Sequence, residues 1–267
     1  MSDEFEKYAV YWVPKRADAL ARFGVCWTGW CAEQGEHRTR GAFRNLSFSV
    51  PAVTRHSRRH GLHATVKGPF RLGTGRSRFS LEHILGQLIE DSVAFQLPRL
   101  RLAVVDGCVA LVPRQNCSAL GNLVAQISDA LAPLDAATPA NGFAEAAVVT
   151  LATDSIVAED AEPLVQLPAS DAHRFHMPLT DPLGLETAFK VKEELEPVLE
   201  PILDEPRQLT DIALMGDPGQ GRPLRVLERY DLRDWPLREA SSALPCHGPN
   251  VLVSMVSGRF VKSDIAV

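Results

Sequence analysis

The sequence predicts an α+β fold built from two similar halves. Two segments with the alternating pattern of a β-strand each carry a histidine, and each is followed by a helix and then by a strand hairpin. The 267 residues are 45% hydrophobic and 23% charged, an ordinary globular composition that allows a sizeable core. The repeated order of elements therefore predicts two similar lobes, each with an antiparallel sheet and flanking helices.

The first half supplies one predicted lobe. Residues 8–13 are rich in aromatic and β-branched side chains and predict the first strand. Asp106-Gly107 predicts a two-residue hairpin turn within 100–112. Apolar residues at helical spacing predict three helices. The first covers about 17–30, the second begins with Ser80 as its N-cap, and the third covers about 116–134.

The second half repeats this order. A histidine strand is predicted over 175–180, a helix over 185–203, and two further strands around Ile212 and Val226, joined by the Gly and Pro-rich turn 216–221. Residues 153–172 predict a solvated loop. We therefore expect one two-lobed domain over 1–235 and a C-terminal extension over 236–267.

The two histidine strands carry the side chains with chemical potential. Side chains alternate along a strand, so each histidine shares its face with two other residues: His63 with Thr65 and Lys67, and His176 with Pro178 and Thr180. An imidazole, a hydroxyl and an ammonium on one face suit an anion such as phosphate. Two histidines can also act as acid and base, because imidazole titrates near neutral pH.

These segments carry a family resemblance. Residues 58–72, centred on His63-Ala64-Thr65-Val66-Lys67, resemble the first signature of the 2H phosphoesterase superfamily, in its branch associated with bacterial phosphonate metabolism. Residues 175–180 resemble the second signature, and 8–14 resemble the opening strand. The resemblance implies two pseudo-symmetric lobes around a central cleft, with one histidine strand on each wall.

The resemblance also implies a function. Members of the superfamily use one histidine as general base and the other as general acid, while hydroxyl side chains hold phosphate oxygens. We therefore expect a metal-independent enzyme that needs no cofactor and cleaves a small cyclic phosphate or a nucleotide-like phosphodiester. The expected catalytic residues are His63, Thr65 and His176, and the expected substrate-binding residues are Lys67, Thr180 and Tyr11.

Pro178 departs from the family pattern, which has a hydroxyl residue there. Proline offers neither a side-chain donor nor a backbone N–H, so one implied phosphate contact is missing. Thr180 lies about 6–7 Å further along the strand, too far to replace it in the same pose. An alternative function is therefore a module that binds a phosphorylated metabolite without catalysis. The proline also predicts an edge strand or a bulge.

Composition excludes several partners. A net charge of -5 argues against long nucleic acid, and no segment approaches the ~20 apolar residues of a membrane span. The acidic N-terminus resembles no targeting signal, so a cytoplasmic location is expected. Histidines at 56, 60, 63, 173 and 176 suggest a metal site as another possibility, but Gly61 interrupts their spacing and no His-Glu-x-x-His motif is present.

Overall fold

Two antiparallel sheets form the centre of the fold in the computed structural model, which describes residues 5–43, 45–136 and 175–234. The strands are β1 (Lys7–Trp12), β2 (Trp30–Cys31), β3 (Glu36–His37), β4 (Ala64–Phe70), β5 (Phe95–Leu97), β6 (Leu100–Val105), β7 (Cys108–Pro113), β8 (Met177–Pro178), β9 (Arg207–Leu209), β10 (Asp211–Asp217) and β11 (Arg225–Asp231). The helices are α1 (Ala19–Thr28), α2 (Val50–Val53), α3 (Arg78–Glu90), α4 (Ser118–Leu131) and α5 (Leu185–Leu203), with 3₁₀ turns at Ser57–His60 and Ala132–Leu134.

The two sheets are related by internal symmetry. Their strand orders are β11-β10-β1-β4 and β6-β7-β8, so β10-β1-β4 in one matches β6-β7-β8 in the other. The helices obey the same correspondence, because α3 packs against α4 and α1 packs against α5. The predicted α+β fold with two similar lobes is confirmed. His63 and His176 were predicted to lie within strands, but each lies one residue before its strand, β4 or β8, and each of these two strands is the edge of its sheet.

Each repeat gives one strand to the sheet of the other. β6 follows β4 and α3 in the chain but pairs with β7 and β8, and β10 follows β8 and α5 but pairs with β1. The short strands β5 and β9 pair antiparallel between the repeats, with Gln96 opposite Gln208. This exchange means that neither repeat can complete its own sheet.

Two predicted helix ends differ from the structure. The N-cap of α3 is Ser77 rather than Ser80, because the Ser77 hydroxyl accepts a hydrogen bond from the Ser80 amide at 3.2 Å. α1 ends at Thr28 because Gly29 adopts a left-handed conformation (φ 70°) and donates its N–H to the Val25 carbonyl. Trp30 therefore lies in β2 rather than in the helix.

The two predicted turns have different outcomes. Asp106 and Gly107 both have positive φ (49° and 78°), which confirms a type I′ turn between β6 and β7. In the second hairpin, β10 continues through Asp217, so Gly216 belongs to a strand and not to the turn. A Cβ at Gly216 would lie 2.5 Å from the Phe5 ring, so close packing requires glycine there. The predicted loop 153–172 and the extension 236–267 lie outside the described residues.

The core determines which way the histidines face. Ala64 and Val66 on β4 and Phe175 and Met177 around β8 are buried in the main apolar cluster. His63 and His176, which alternate with these residues, therefore face away from that cluster. None of the helices described in the structure is long and apolar enough to cross a membrane.

The positive φ of Gly107 gives a test of the hairpin. Gly107→Ala should lower the free energy of unfolding by about 1–2 kcal/mol, because an L-residue is strained at this φ. The new Cβ would also lie 3.1 Å from the Leu183 carbonyl oxygen. Gly121→Ala on α4 is the matched control: its Cβ would meet nothing within 4 Å, and it should stabilise by about 0.5–1 kcal/mol. Urea unfolding of both variants measures the difference; equal effects would contradict the turn.

Candidate functional site

The two histidine strands meet at the boundary between the sheets. β4 and β8 are in contact, and the Trp12 and Phe175 rings pack with centroids 5.8 Å apart. Trp12 pairs with Ala64, the residue after His63, and Phe175 is the residue before His176. The structure therefore brings the two predicted catalytic histidines to one boundary, on the side away from the main core.

Hydrogen bonds to the segment after His176 hold the second histidine strand against the first lobe. The Trp27 indole N–H donates to the Leu179 carbonyl at 2.6 Å. The Asp181 amide donates to the Val53 carbonyl at 2.7 Å, and its carboxylate accepts the amides of His56 (2.9 Å) and Ser57 (2.6 Å). Asp181 thus caps the 3₁₀ turn Ser57–His60, which leads directly into His63.

His63 presents one nitrogen as an acceptor. The ring is 4% exposed and stacks on Tyr11, with centroids 4.1 Å apart and an interplanar angle of 21°. Its Nδ1 lies 3.0 Å from the Gly61 carbonyl oxygen. Because a carbonyl can only accept, Nδ1 carries the proton and donates, and Nε2 of the neutral ring keeps its lone pair.

Burial keeps this imidazole neutral near neutral pH. Desolvation, followed by the charge of His60, lowers the pKa of His63 to about 3, and the charge of His176 acts in the same direction. His60 packs edge-on against His63 at 5.7 Å. Burial and then the charge of Arg59 lower the pKa of His60 to about 4. The electrostatic effect of His176 on His63 is a second sign that the two side chains are close.

Tyr11 lies in the site as a support for His63. The side chain is buried, and desolvation and the charge of Asp217 raise its pKa well above the usual value for tyrosine, so the phenol stays neutral. Tyr8 faces the main core, as expected from alternation along β1. Tyr11 was predicted to bind substrate, but its ring covers one face of the His63 imidazole.

Thr65 and Lys67 have different positions. Thr65 is half-buried and pairs with Tyr11 across β1 and β4. A register shift follows, and Lys67 pairs with Val10, a core residue. The Lys67 ammonium lies 5.2 Å from the centroid of the Phe70 ring. The bulge interrupts the regular pairing of β4 between Thr65 and Lys67, so a shared face for Lys67 and His63 stays a prediction.

The second lobe contributes fewer polar groups than the first. Pro178 lies on the edge strand β8 opposite Ala110, which confirms the predicted edge position. By the internal symmetry, Pro178 and Ala110 occupy the places that Thr65 and Tyr11 occupy in the first lobe. Thr180 is 1% exposed and its hydroxyl accepts the Val109 amide at 3.0 Å. We therefore assign Thr180 a structural role.

An ion pair that the sequence did not reveal lies beside the histidines. Arg59 Nη2 is 3.1 Å from an Asp217 carboxylate oxygen, and both charges act on the pKa values of Tyr11 and His60. No local spacing links residues 59 and 217. The pair depends on the long-range alignment of β1 with β10, in which Lys7 lies opposite Asp217.

The histidines give no metal centre in the described part of the chain. Across residues 5–43, 45–136 and 175–234, no group of three or more His, Cys, Asp or Glu side chains is placed to hold a metal ion. His173, which belongs to the metal alternative, lies outside these residues.

Comparison with protein families gives one match. Residues 65–225, more than half of the chain, match the model of a family described as "Protein of unknown function (DUF1045)". The chain belongs to the DUF1045 family. The matched region starts at Thr65, two residues after His63, so it covers most of β4 without His63 itself, and it includes His176 and Pro178.

Comparisons with individual proteins add distant similarities. This DUF1045 protein is similar to a crystal structure of a phosphoesterase (14% identity over 86% of this chain and 99% of that chain, TM-score 0.43). It is also similar to E. coli LigT complexed with 3′-AMP (12% identity, 86% and 99%, TM-score 0.41) and with NADP+ (12%, 86% and 99%, 0.39). Similarities at this level assign no activity to the DUF1045 chain. The comparison with curated proteins finds no match.

The buried, neutral His63 gives a pH-dependent stability. Below about pH 6.5 an unfolded histidine takes up a proton, whereas folded His63 does so only near its lowered pKa of about 3. The unfolded state then binds more protons than the folded state. As the pH falls from about 6 to 4, His63 alone should therefore lower the free energy of unfolding by about 1.4 kcal/mol per pH unit.

His63→Asn tests this effect. Asparagine keeps a donor for the Gly61 carbonyl but does not titrate, so the slope of unfolding free energy against pH should fall by about 1.4 kcal/mol per pH unit. Urea unfolding across this range measures the slope. His83→Asn, at an exposed position on α3, controls for the substitution itself. An unchanged slope in His63→Asn would contradict a buried neutral ring.

Proposed function

We propose that this chain is a metal-independent phosphoesterase that cleaves a small cyclic phosphate or a nucleotide-like phosphodiester with two histidines. One observation carries the proposal: His63, with its Nε2 lone pair preserved by the Gly61 carbonyl, and His176 lie at the meeting edges of two symmetry-related lobes. Such a pair can move two protons in one substitution at phosphorus.

His63 is the proposed general base. Its neutral Nε2 takes a proton from water or from a substrate hydroxyl, whose oxygen then attacks phosphorus. A pKa of about 3 makes the free imidazole a weak base. A bound phosphate changes this, because a neighbouring negative charge favours the imidazolium form and raises the pKa. His63 therefore becomes an effective base only when substrate is present.

His176 is the proposed general acid. As the new P–O bond forms, the bond to the leaving oxygen breaks, and His176 donates a proton to that oxygen. Solvent then takes the proton from His63 and returns one to His176. Water and a cyclic phosphate thus give a phosphomonoester with all atoms accounted for, and each proton transfer contributes ~10² to 10⁴ in rate.

Phosphate contacts come mainly from the first lobe. Thr65, half-buried on β4 beside Tyr11, provides a hydroxyl that can donate to a nonbridging oxygen. The symmetry-related Pro178 provides none. We propose that the substrate lies closer to β4 than to β8. Lys67 attracts its phosphate through long-range positive charge and does not form a direct hydrogen bond with it.

The sequence supports three narrower proposals, which rest in turn on the resemblance of the histidine strands, on the net charge of -5 and on the five scattered cysteines, an odd number that suits reduced thiols. We place the chain in the 2H phosphoesterase branch associated with bacterial phosphonate metabolism. Its substrate is a small phosphorylated molecule rather than long nucleic acid, and its location is cytoplasmic.

Turnover of 2′,3′-cyclic nucleotides tests the proposed reaction. His63→Asn and His176→Asn should each lower kcat by at least ~10²-fold, because each removes a proton-transfer partner. Wild-type activity should survive EDTA. His83→Asn, on exposed α3, is the control and should keep wild-type turnover.

Two results would contradict the proposal. Loss of activity in EDTA with recovery on adding zinc or manganese would favour a metal enzyme. No turnover by wild type, combined with phosphate binding that His63→Asn weakens, would favour the non-catalytic binding module.

Pro178 offers a gain-of-function test. Pro178→Thr should place a hydroxyl facing the phosphate and raise kcat by ~10-fold, because one donor to developing charge can contribute more than ~2 kcal/mol. Pro178→Ala is the control that removes the ring without adding a donor. Equal kcat values for wild type and both variants would show that this position makes no contact with the transition state.

A further inference from the structure

A pocket rich in arginine lies beside the histidine site. Its cavity has a volume of about 370 Å³, within the range of small-molecule sites. Among the described residues that line it, none is Asp or Glu. Its walls include Trp30, Arg55, His56, Arg58 and Arg59.

Most of the positive charge in this pocket has no acidic partner among the described residues. Neither Arg55 nor Arg58 makes a hydrogen bond or an ion pair with another described residue through its side chain. Arg59 uses one nitrogen to bind Asp217, but its buried Nε has no hydrogen-bond partner among the described residues. The other nearby carboxylate, Asp181, is already occupied by two backbone amides.

A fourth guanidinium group strengthens this excess. Arg40 donates from Nη1 to the Thr54 hydroxyl at 2.8 Å, whereas no side chain or backbone group in the described part of the chain bonds its buried Nη2. Burial, followed by the charge of Arg58, lowers the pKa of Arg40, so the two guanidinium groups are close enough to repel. Arg40 is not part of the cavity lining, but an anion bound to Arg58 in the pocket would weaken this repulsion, and guanidinium groups match phosphate oxygens in bidentate geometry.

Arg59 connects the pocket to the proposed reactive centre. It lines the cavity, and its charge lowers the pKa of His60, whose ring lies 5.7 Å from that of His63. The arginines precede His63 in one short segment that includes the 3₁₀ turn Ser57–His60. The pocket is therefore linked to His63 through two neighbouring side chains, Arg59 and His60.

We propose that this pocket binds a second phosphate group of the substrate, so that the enzyme acts on a cyclic phosphate or phosphodiester that already carries a phosphomonoester. The proposal rests on the proposed function, because it takes the His63 and His176 site as the reactive centre. The second group would anchor the substrate through guanidinium contacts while the first reacts.

Calorimetric titration with inorganic phosphate tests the pocket without needing activity. The double variant Arg55→Gln/Arg58→Gln should bind phosphate at least ~10-fold more weakly than wild type, because charge-assisted contacts are lost. Arg76→Gln/Arg114→Gln removes the same charge at exposed positions outside the pocket and should bind like wild type. His63→Asn should retain phosphate binding that depends on the arginines. Equal affinity in wild type and the Arg55/Arg58 double variant, or no binding by wild type, would overturn the proposal.

Kinetics with two substrates then tests the second phosphate. Wild-type kcat/KM should be at least ~10-fold higher for a 2′,3′-cyclic nucleotide with a 5′-phosphate than for the same nucleotide without it. This ratio should fall to near unity in Arg55→Gln/Arg58→Gln. A ratio near unity in wild type would overturn the proposal. If neither nucleotide is cleaved while phosphate binding still depends on the arginines, the reaction is refuted and the anion pocket stands.

Discussion

The position of the site depends on a few hydrogen bonds that tie the second histidine strand to the first lobe. The Leu179 carbonyl is held by the Trp27 indole, and the Asp181 carboxylate holds the two amides at the start of the 3₁₀ turn. Hydrogen bonds to a charged group contribute about 1.5–3 kcal/mol each. Because this turn leads into His63 and Asp181 follows the His176 strand, the same contacts set the distance between the two imidazoles.

Burial gives His63 two opposing properties. Desolvation keeps the His63 imidazole neutral, so it can accept a proton, but the same desolvation lowers its pKa and makes it a weaker base. A bound anion offsets that desolvation, so anion binding and protonation of His63 are thermodynamically linked. Tyr11 takes part by covering one face of the ring with an uncharged phenol, which keeps water from that side.

Features set by local sequence were predicted well. The order of the main strands and helices and the Asp106-Gly107 turn follow from periodicity and from the backbone preferences of single residues. The bounds of the histidine strands do not, because His63 and His176 each lie one residue before a strand and the predicted strand 175–180 is reduced to Met177–Pro178. Positions that depend on distant pairing were not predicted. The bulge in β4 shifts the strand pairing so that Lys67 lies opposite Val10. The Arg59–Asp217 ion pair depends on the pairing of β10 with β1, which brings Asp217 beside the first lobe's strands.

The exchange of strands between the repeats also affects synthesis of the chain. β1 ends at Trp12 and its partner β10 begins at Asp211, so one edge of β1 has no native partner until about 200 further residues have been made. At about 5–20 residues per second, that wait lasts on the order of ten seconds or more. An aromatic strand with an unpaired edge can pair with the wrong strand. During this time the nascent chain is therefore prone to aggregation, and chaperone binding would protect it.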